Sequence, residues 1–334
     1  MGGSAMTFWE EAGRDSGMSL RICSRLVALL AVWIFVLPAR ADSKKVYAWH
    51  PERATSGPIL IVVDLDVQVA YVYRNGVEIG RTGVSTGRAG HRTPTGVFSI
   101  LGKDVHHHST IYNNASMPYA ERLTWSGVFL HAGGLPGYPS SHGCVHLPLA
   151  FARDLYAVTG ENDTTVVITA NATPPVVSAL PIARLAGLEK MLTSAVAPAG
   201  PVFWKPELSR KGSVAVVVSQ ADGKVQVLRG GVLIGSGPVG FAVGTKVSEA
   251  VYLKLTKASW GRPAQWVTVD VGSGTAPTFA QLRASGLKID PGLVAKMKGI
   301  MKPGSLVLTT AGGLGATTRS ATGFVGMASA PEGH

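Results

Sequence analysis

A mainly β fold is what this sequence predicts, and three observations carry the prediction. Short runs rich in Val and Ile are bounded by turn residues, and Ile59-Leu60-Ile61-Val62-Val63 is the clearest of them. Asn75-Gly76 stands between two such runs, and both central residues of a type I′ turn need positive φ, which Asn and Gly tolerate. The 334 residues include 41 Gly and 20 Pro, a usage that favours turns and short strands over long helices.

Taken in order, residues 59–63 read as a buried strand. Val67, Val69, Tyr71 and Tyr73 alternate with other residues, as in a second strand, and Val77-Glu78-Ile79 begins the return. Residues 97–100 and 128–130 read as further strands. Residues 149–158 form the one good helical stretch, and 165–168 a closing strand. Residues 57–172 are therefore expected to form one compact domain. His106-His107-His108 lies in a polar segment with Asn113 and Asn114 and reads as a solvated loop. Residues 173–211 are richer in Pro and Ala and read as a linker, with a short helix expected over 185–196.

The opening pattern then returns. With Gly57 set on Gly212, nine of the 24 positions from 57 to 80 are identical, among them Val62/Val217, Arg74/Arg229, Gly76/Gly231 and Gly80/Gly235. Later landmarks recur in order. Trp266 to Asp270 resembles the strand that ends in His131, which puts Asp270 where His131 stands. Residues 291–301 sit where the helix sits, and 305–309 echo the closing strand. Residues 212–311 read as a degenerate second copy of the same fold. It has neither Cys nor His, so it cannot repeat chemistry that uses them. Residues 312–334 show no periodicity and are expected to be disordered.

The chain carries 31 basic and 20 acidic residues, a net charge of +11, with 46% apolar residues. That composition excludes an intrinsically disordered chain, and a single long apolar run excludes a polytopic membrane protein. The run, residues 26–37, follows the basic stretch from Arg21 to Arg25 and precedes Ala39-Arg40-Ala41, the three-part pattern of a secretory signal. A cleaved segment 1–41 is expected, with Met18 as an alternative start and an uncleaved anchor over 26–37 as the rival reading. Cleavage leaves 27 basic and 17 acidic residues, net +10, and a single cysteine, Cys144. Export argues against nucleic acid as the partner of this basic chain.

A lone thiol outside the reducing cytosol needs an explanation other than a disulfide. The segment His131-Ala132-Gly133-Gly134-Leu135-Pro136-Gly137-Tyr138-Pro139-Ser140-Ser141-His142-Gly143-Cys144-Val145-His146 supplies candidates. A strand ends in His131, and a Gly/Pro-rich loop returns to Cys144 just before a helix. Such a loop brings a thiol near an imidazole, and a nearby base and a helix N-terminus both favour the thiolate. The amides of Gly143 and Cys144 are candidates for an oxyanion hole. Two other readings stay open on these residues: an inert buried cysteine, and zinc held by His131, His142, Cys144 and His146.

Ser141-His142-Gly143-Cys144-Val145 with the upstream His131 resembles the signature of the L,D-transpeptidase (YkuD-type) catalytic domain. Ser85-Thr86-Gly87 and Arg92-Thr93-Pro94-Thr95-Gly96 resemble another of the family's runs, and Met117-Pro118-Tyr119 a segment beside its substrate cleft. The resemblance spans roughly residues 57–170. His146 stands where the family usually has Arg or Asn, and Ala132 offers only a backbone carbonyl to orient His131. The resemblance implies a β-sandwich and exported peptidoglycan chemistry without cofactor or metal. Cys144 would form a thioester with a donor stem peptide, with His131 as base and His142 and Gly143 shaping the catalytic loop. Ser141, His146, Tyr119 and Met117 would contact substrate. The acceptor would be a second stem amine, a lipoprotein lysine, a D-amino acid or water. The only membrane contact expected is transient, during export. Alternatives are a catalytically silent peptidoglycan-binding protein and an L,D-carboxypeptidase or other hydrolase.

Overall fold

The computed structural model describes residues 47–170, 176–179, 198–247, 250–254, 266–270 and 285–312. The expected export segment 1–41, the helix over 185–196 and the tail beyond residue 312 lie outside the described residues. Among the described residues no helix is long and apolar enough to cross a membrane.

The first half contains strands β1 (Tyr47–Trp49), β2 (Ile59–Asp64), β3 (Val69–Arg74), β4 (Val77–Gly83) and β5 (Gly96–Ser99). It continues with β6 (Gly102–His108), β7 (Ser116–Arg122), β8 (Phe129–Ala132), β9 (Val145–Leu147), helix α1 (Leu149–Val158) and β10 (Thr165–Thr169). The second half holds β11 (Val176–Ala179), β12 (Phe203–Trp204), β13 (Val214–Ser219), β14 (Lys224–Arg229) and β15 (Val232–Gly240). Then come β16 (Ala250–Lys254), β17 (Trp266–Asp270), β18 (Lys288–Ile289), α2 (Pro291–Ile300) and β19 (Leu306–Thr310). The mainly β expectation holds.

In the first half six strands form one sheet in the order β1-β4-β3-β2-β10-β5, and four form another in the order β6-β7-β8-β9. The β3–β4 turn has Asn75 at φ 49° and Gly76 at φ 79°, the left-handed pair that the dipeptide predicts. Side chains alternate along β2. Ile59, Ile61 and Val63 enter a core with Phe98, Leu130, Val145, Leu147, Phe151 and Leu155, which joins the two sheets and α1. Leu60 and Val62 face the other way and pack with Tyr71, Tyr73, Val97 and Val167 on Ala215, Val217, Leu228, Val251 and Leu308 of the second half. β2 is thus buried on both faces, which is why its sequence is a continuous apolar run rather than an alternating one.

The second half repeats the strand order of the six-stranded sheet but, among the described residues, has no counterpart of the four-stranded one. Its large sheet runs β11-β17-β16-β19-β13-β14-β15-β12, with β18 paired to β15. Read from β12, the order β12-β15-β14-β13-β19-β16 follows β1-β4-β3-β2-β10-β5 strand for strand, and β13 pairs β19 in parallel as β2 pairs β10. Val214, Val216 and Val218 face a core with Leu293, Val294 and Met297 of α2, while Ala215 and Val217 meet the first half. Trp204 packs on Gly235 as Trp49 packs on Gly80.

Four sequence expectations are corrected. The linker 173–211 supplies β11 and β12, which pair β17 and β15. His106 to His108 are not loop residues but the end of β6, paired with Ser116 to Pro118, because long-range pairing overrides their weak strand propensity. β17 does not correspond to the strand ending in His131. It extends the large sheet beside β16, whereas β8 lies in the small sheet between β7 and β9, so Asp270 does not occupy the place of His131. Finally, β9 separates Cys144 from α1, which starts at Leu149 behind the N-cap residue Pro148.

Candidate active site

β8 and β9 run in parallel, with His131 opposite His146 and Leu130 opposite Val145. Cys144 stands immediately before β9, two residues ahead of His146. The His131 and His146 rings sit 4.8 Å apart, edge to face. Cys144 packs on an apolar wall of Met117, Ala120 and Phe129.

The wall depends on a strained residue. Tyr119 has φ 55°, a left-handed conformation that bulky residues rarely adopt. The turn breaks the alternation of β7, so Met117 and Ala120, three residues apart, both join the wall. The ring of Tyr119 instead meets Tyr156 of α1 at 5.8 Å. Of the two residues expected beside the cleft, Met117 stands against Cys144 and Tyr119 packs towards the helix.

His131 is buried, and its Nδ1 donates to the carbonyl of Ala132 at 2.8 Å. A carbonyl only accepts, so the proton sits on Nδ1, and Nε2 keeps the lone pair of a base. Burial lowers the His131 pKa to about 4, partly opposed by that hydrogen bond. Burial also pushes the Cys144 thiol up, against a lowering hydrogen bond from the Phe129 backbone. Its Sγ donates to the Gly127 carbonyl at 3.6 Å. With no helix N-terminus at the thiol, both shifts favour a neutral pair, thiol and imidazole, rather than the expected preformed thiolate. His146 Nδ1 bonds the Gly134 carbonyl at 3.1 Å, and burial lowers its pKa too.

The cysteine loop is held by the Ser85-Thr86-Gly87 segment on both sides of Cys144. Ser85 pairs with His146, and Gly87 with Ser141. Ser141 is buried, and its Oγ accepts from the Gly143 amide at 3.1 Å and donates to the Cys144 carbonyl at 2.5 Å. Both capacities serve the turn, so Ser141 shapes the loop, and the Gly143 amide is engaged rather than free for an oxyanion. Gly143 has φ 116°, the reason a glycine is needed there, since a Cβ would find ordinary space. Its carbonyl accepts from buried Thr93 Oγ1 at 2.9 Å, and Thr93 Oγ1 in turn accepts from the Gly87 amide at 2.8 Å.

His142 points outward. Arg88 Nη2 lies 2.6 Å from its Nε2, and its ring meets His91 at 4.8 Å and Tyr112, at the tip of the β6–β7 hairpin, at 4.4 Å. Sequence reasoning missed Arg88, Tyr112 and the role of Thr93. Only Thr93 carried a signal, as part of the Thr-Pro-x-Gly run. His107, on the inward side of β6, stacks on Phe129 at 4.8 Å. Among the described residues no three His, Cys, Asp or Glu side chains form a group that could hold a metal.

A half-buried thiol just before the strand that pairs with β8, where His131 is a tautomer-locked imidazole, together with an apolar wall, has the parts of a cysteine acyl-transfer centre. Residues 58–168 match the model of the YkuD family, the L,D-transpeptidase catalytic domain. Among solved structures the chain is similar to an L,D-transpeptidase from Mycobacterium smegmatis, at 24% identity over 34% of this chain and 60% of that one, TM-score 0.33. It is similar to an L,D-transpeptidase from Mycobacterium tuberculosis at 24% identity, over 34% and 58% of the two chains, TM-score 0.32. A third, from Stackebrandtia nassauensis, is 28% identical over 39% of this chain and 60% of that one, TM-score 0.31. The chain thus spans about 60% of the length of these proteins. No curated protein matches it.

Proposed function

We propose that the protein is an exported cysteine L,D-transpeptidase that acts on peptidoglycan stem peptides. The observation that carries the reading is Cys144 immediately before β9, the strand whose His146 lies opposite His131 with its Nε2 lone pair, inside the segment that matches the family. As Sγ attacks the carbonyl of the donor stem, His131 Nε2 takes the thiol proton. The tetrahedral oxyanion collapses to a thioester, and the leaving amine departs with the proton from His131. An acceptor amine then attacks the thioester and gives its proton to His131, and the thiol is restored. Met117 lines the thiol's wall, and His146 flanks the base. His142 and Ser141 act through the loop rather than on the reacting atoms.

The second half is proposed to be a degenerate copy of the fold over 57–172, on the strength of the shared strand order and the offset of 155 residues. Export rests on residues 1–41 of the sequence. Incubation with a carbapenem tests the activity: the intact chain gains one acyl adduct by mass, and Cys144→Ala gains none and turns over no tetrapeptide stem. An adduct on the Ala variant would overturn the assignment. Product analysis distinguishes a new cross-link from the free tripeptide that a carboxypeptidase would leave.

A further inference from the structure

The seam between the two halves holds a cleft of about 850 Å³, a size typical of ligand sites. The second half contributes Arg210, Lys211, Arg229 and Lys302 to its walls; the first half contributes Glu161 and Asp163. Among the described residues none of the four cations lies in an ion pair. The frame around them is fixed. The Ser213 amide donates to the Asn162 carbonyl across the seam at 2.7 Å, and Thr165 Oγ1 donates to Ser213 Oγ at 3.2 Å. Arg229 is half-buried and tethered by a 3.1 Å hydrogen bond from Nη1 to the Ser209 carbonyl.

The charge of the whole chain points to the same place. Residues 57–172 contain seven basic and eight acidic residues, net −1, while residues 198–312 contain fourteen basic and five acidic, net +9. The basicity of the protein therefore belongs to the half without Cys or His. A concave site with one excess sign and low-dielectric walls concentrates field lines and draws counter-ions.

We propose that this seam cleft is a second binding site, taking the carboxylate groups of a polymer segment. The second half then holds the polymer while the first half acts on it. That the polymer is the peptide-bearing wall glycan rests on the function proposed above; that the ligand is anionic rests on the cleft alone. The carboxylates would lie along the Arg210, Lys211, Arg229 and Lys302 wall. Glu161 and Asp163 opposite leave a place for a free amine of the same ligand.

The test uses the full chain carrying Cys144→Ala, so that binding is read without turnover. Co-sedimentation with insoluble peptidoglycan, stripped of phosphate polymers, is compared with Arg210→Glu, Lys211→Glu and Lys302→Glu introduced together. These three side chains are exposed, and unchanged thermal unfolding would show the fold to be intact. Retention should weaken at least tenfold and lose most of its dependence on salt, since three positive charges of an electrostatic site become negative. Reversing Lys224, Lys246 and Lys288, exposed elsewhere on the same half, should leave retention near the parent's. With Cys144 present, the cleft variant should process small soluble stem peptides at the parental rate. Equal retention of parent and cleft variant would overturn the proposal, as would equal loss in the control triple. Binding of polyphosphate but not of stripped wall would overturn the carboxylate assignment. A chain that fails to acylate yet still shows cleft-dependent retention would sink the transpeptidase reading and leave the cleft standing. If the triple variant does not fold, Arg210→Ala with Lys302→Ala is expected to give a smaller loss in the same direction, and no loss would overturn the proposal.

Discussion

In the proposed mechanism, burial of His131 sets the pH behaviour of the site. Its pKa of about 4 means that the base form persists well below the usual imidazole range. The acid limb of kcat/KM is therefore expected near pH 4 rather than 6.5, and a limb at 6.5 would refute a buried His131 as base. His131→Ala should lower the acylation rate by ~10²–10⁴, and His146→Ala by less. Thr93 matters through the loop. Thr93→Val keeps the shape but leaves the buried Gly143 carbonyl and Gly87 amide unpaired, at a cost of roughly 1–3 kcal/mol each. A lowered melting temperature with a disproportionate loss of acylation is the expected result; unchanged acylation would show that the tether does not position Cys144.

At the scale of elements, the join between the small sheet and α1 carries a second titratable group. Glu121 of β7 is buried and bonds Thr159 Oγ1, with Lys103 of β6 at 3.8 Å. Lys103 in turn donates to the carbonyls of Tyr156 and Thr159 at the end of α1, where a cation meets the negative end of the helix. Desolvation raises the Glu121 pKa to about 7, opposed by Thr159 and Lys103. The folded chain then holds a proton that the unfolded chain releases near 4.5, so this group's stabilisation is lost as pH rises towards 7. His131 works in the opposite sense, because the unfolded chain binds its proton first as pH falls from 6.5 to 4. Glu121→Gln removes one of the two. The variant's melting temperature should rise relative to the parent between pH 5 and pH 8, by about 2–4 °C per kcal/mol. A difference independent of pH would show that Glu121 is ionised in the fold throughout that range.

For the whole molecule, the apolar seam makes the two halves mutually dependent. Removing residues 200–334 would uncover Leu60, Val62, Tyr71, Tyr73, Val97 and Val167, a patch that soluble monomers rarely expose. The truncated chain is expected to aggregate, as measured by light scattering and recovery in the soluble fraction. A monomeric, active fragment would show that the seam is dispensable.

The sequence by itself determined what local pattern and side-chain chemistry can determine. The Asn75-Gly76 hairpin, the helix over Leu149–Val158 and the recurrence at an offset of 155 are readable because turn stereochemistry, apolar periodicity and residue identity are properties of short segments. The candidacy of Cys144 and His131 was readable for the same reason, a lone thiol and an imidazole at the two ends of a loop. What needed the tertiary structure was every property that depends on residues far apart in the chain. The strand over His106 to His108 exists because β7 pairs it, and β17 sits beside β16 rather than in a copy of the small sheet because of pairings that no short pattern specifies. Tyr119 turns away from the thiol through a backbone strain invisible in its letter, and Thr93 reaches Gly143 across fifty residues. The neutral state favoured for the thiol and the His131 imidazole was likewise decided by burial, which only the packed sheets create.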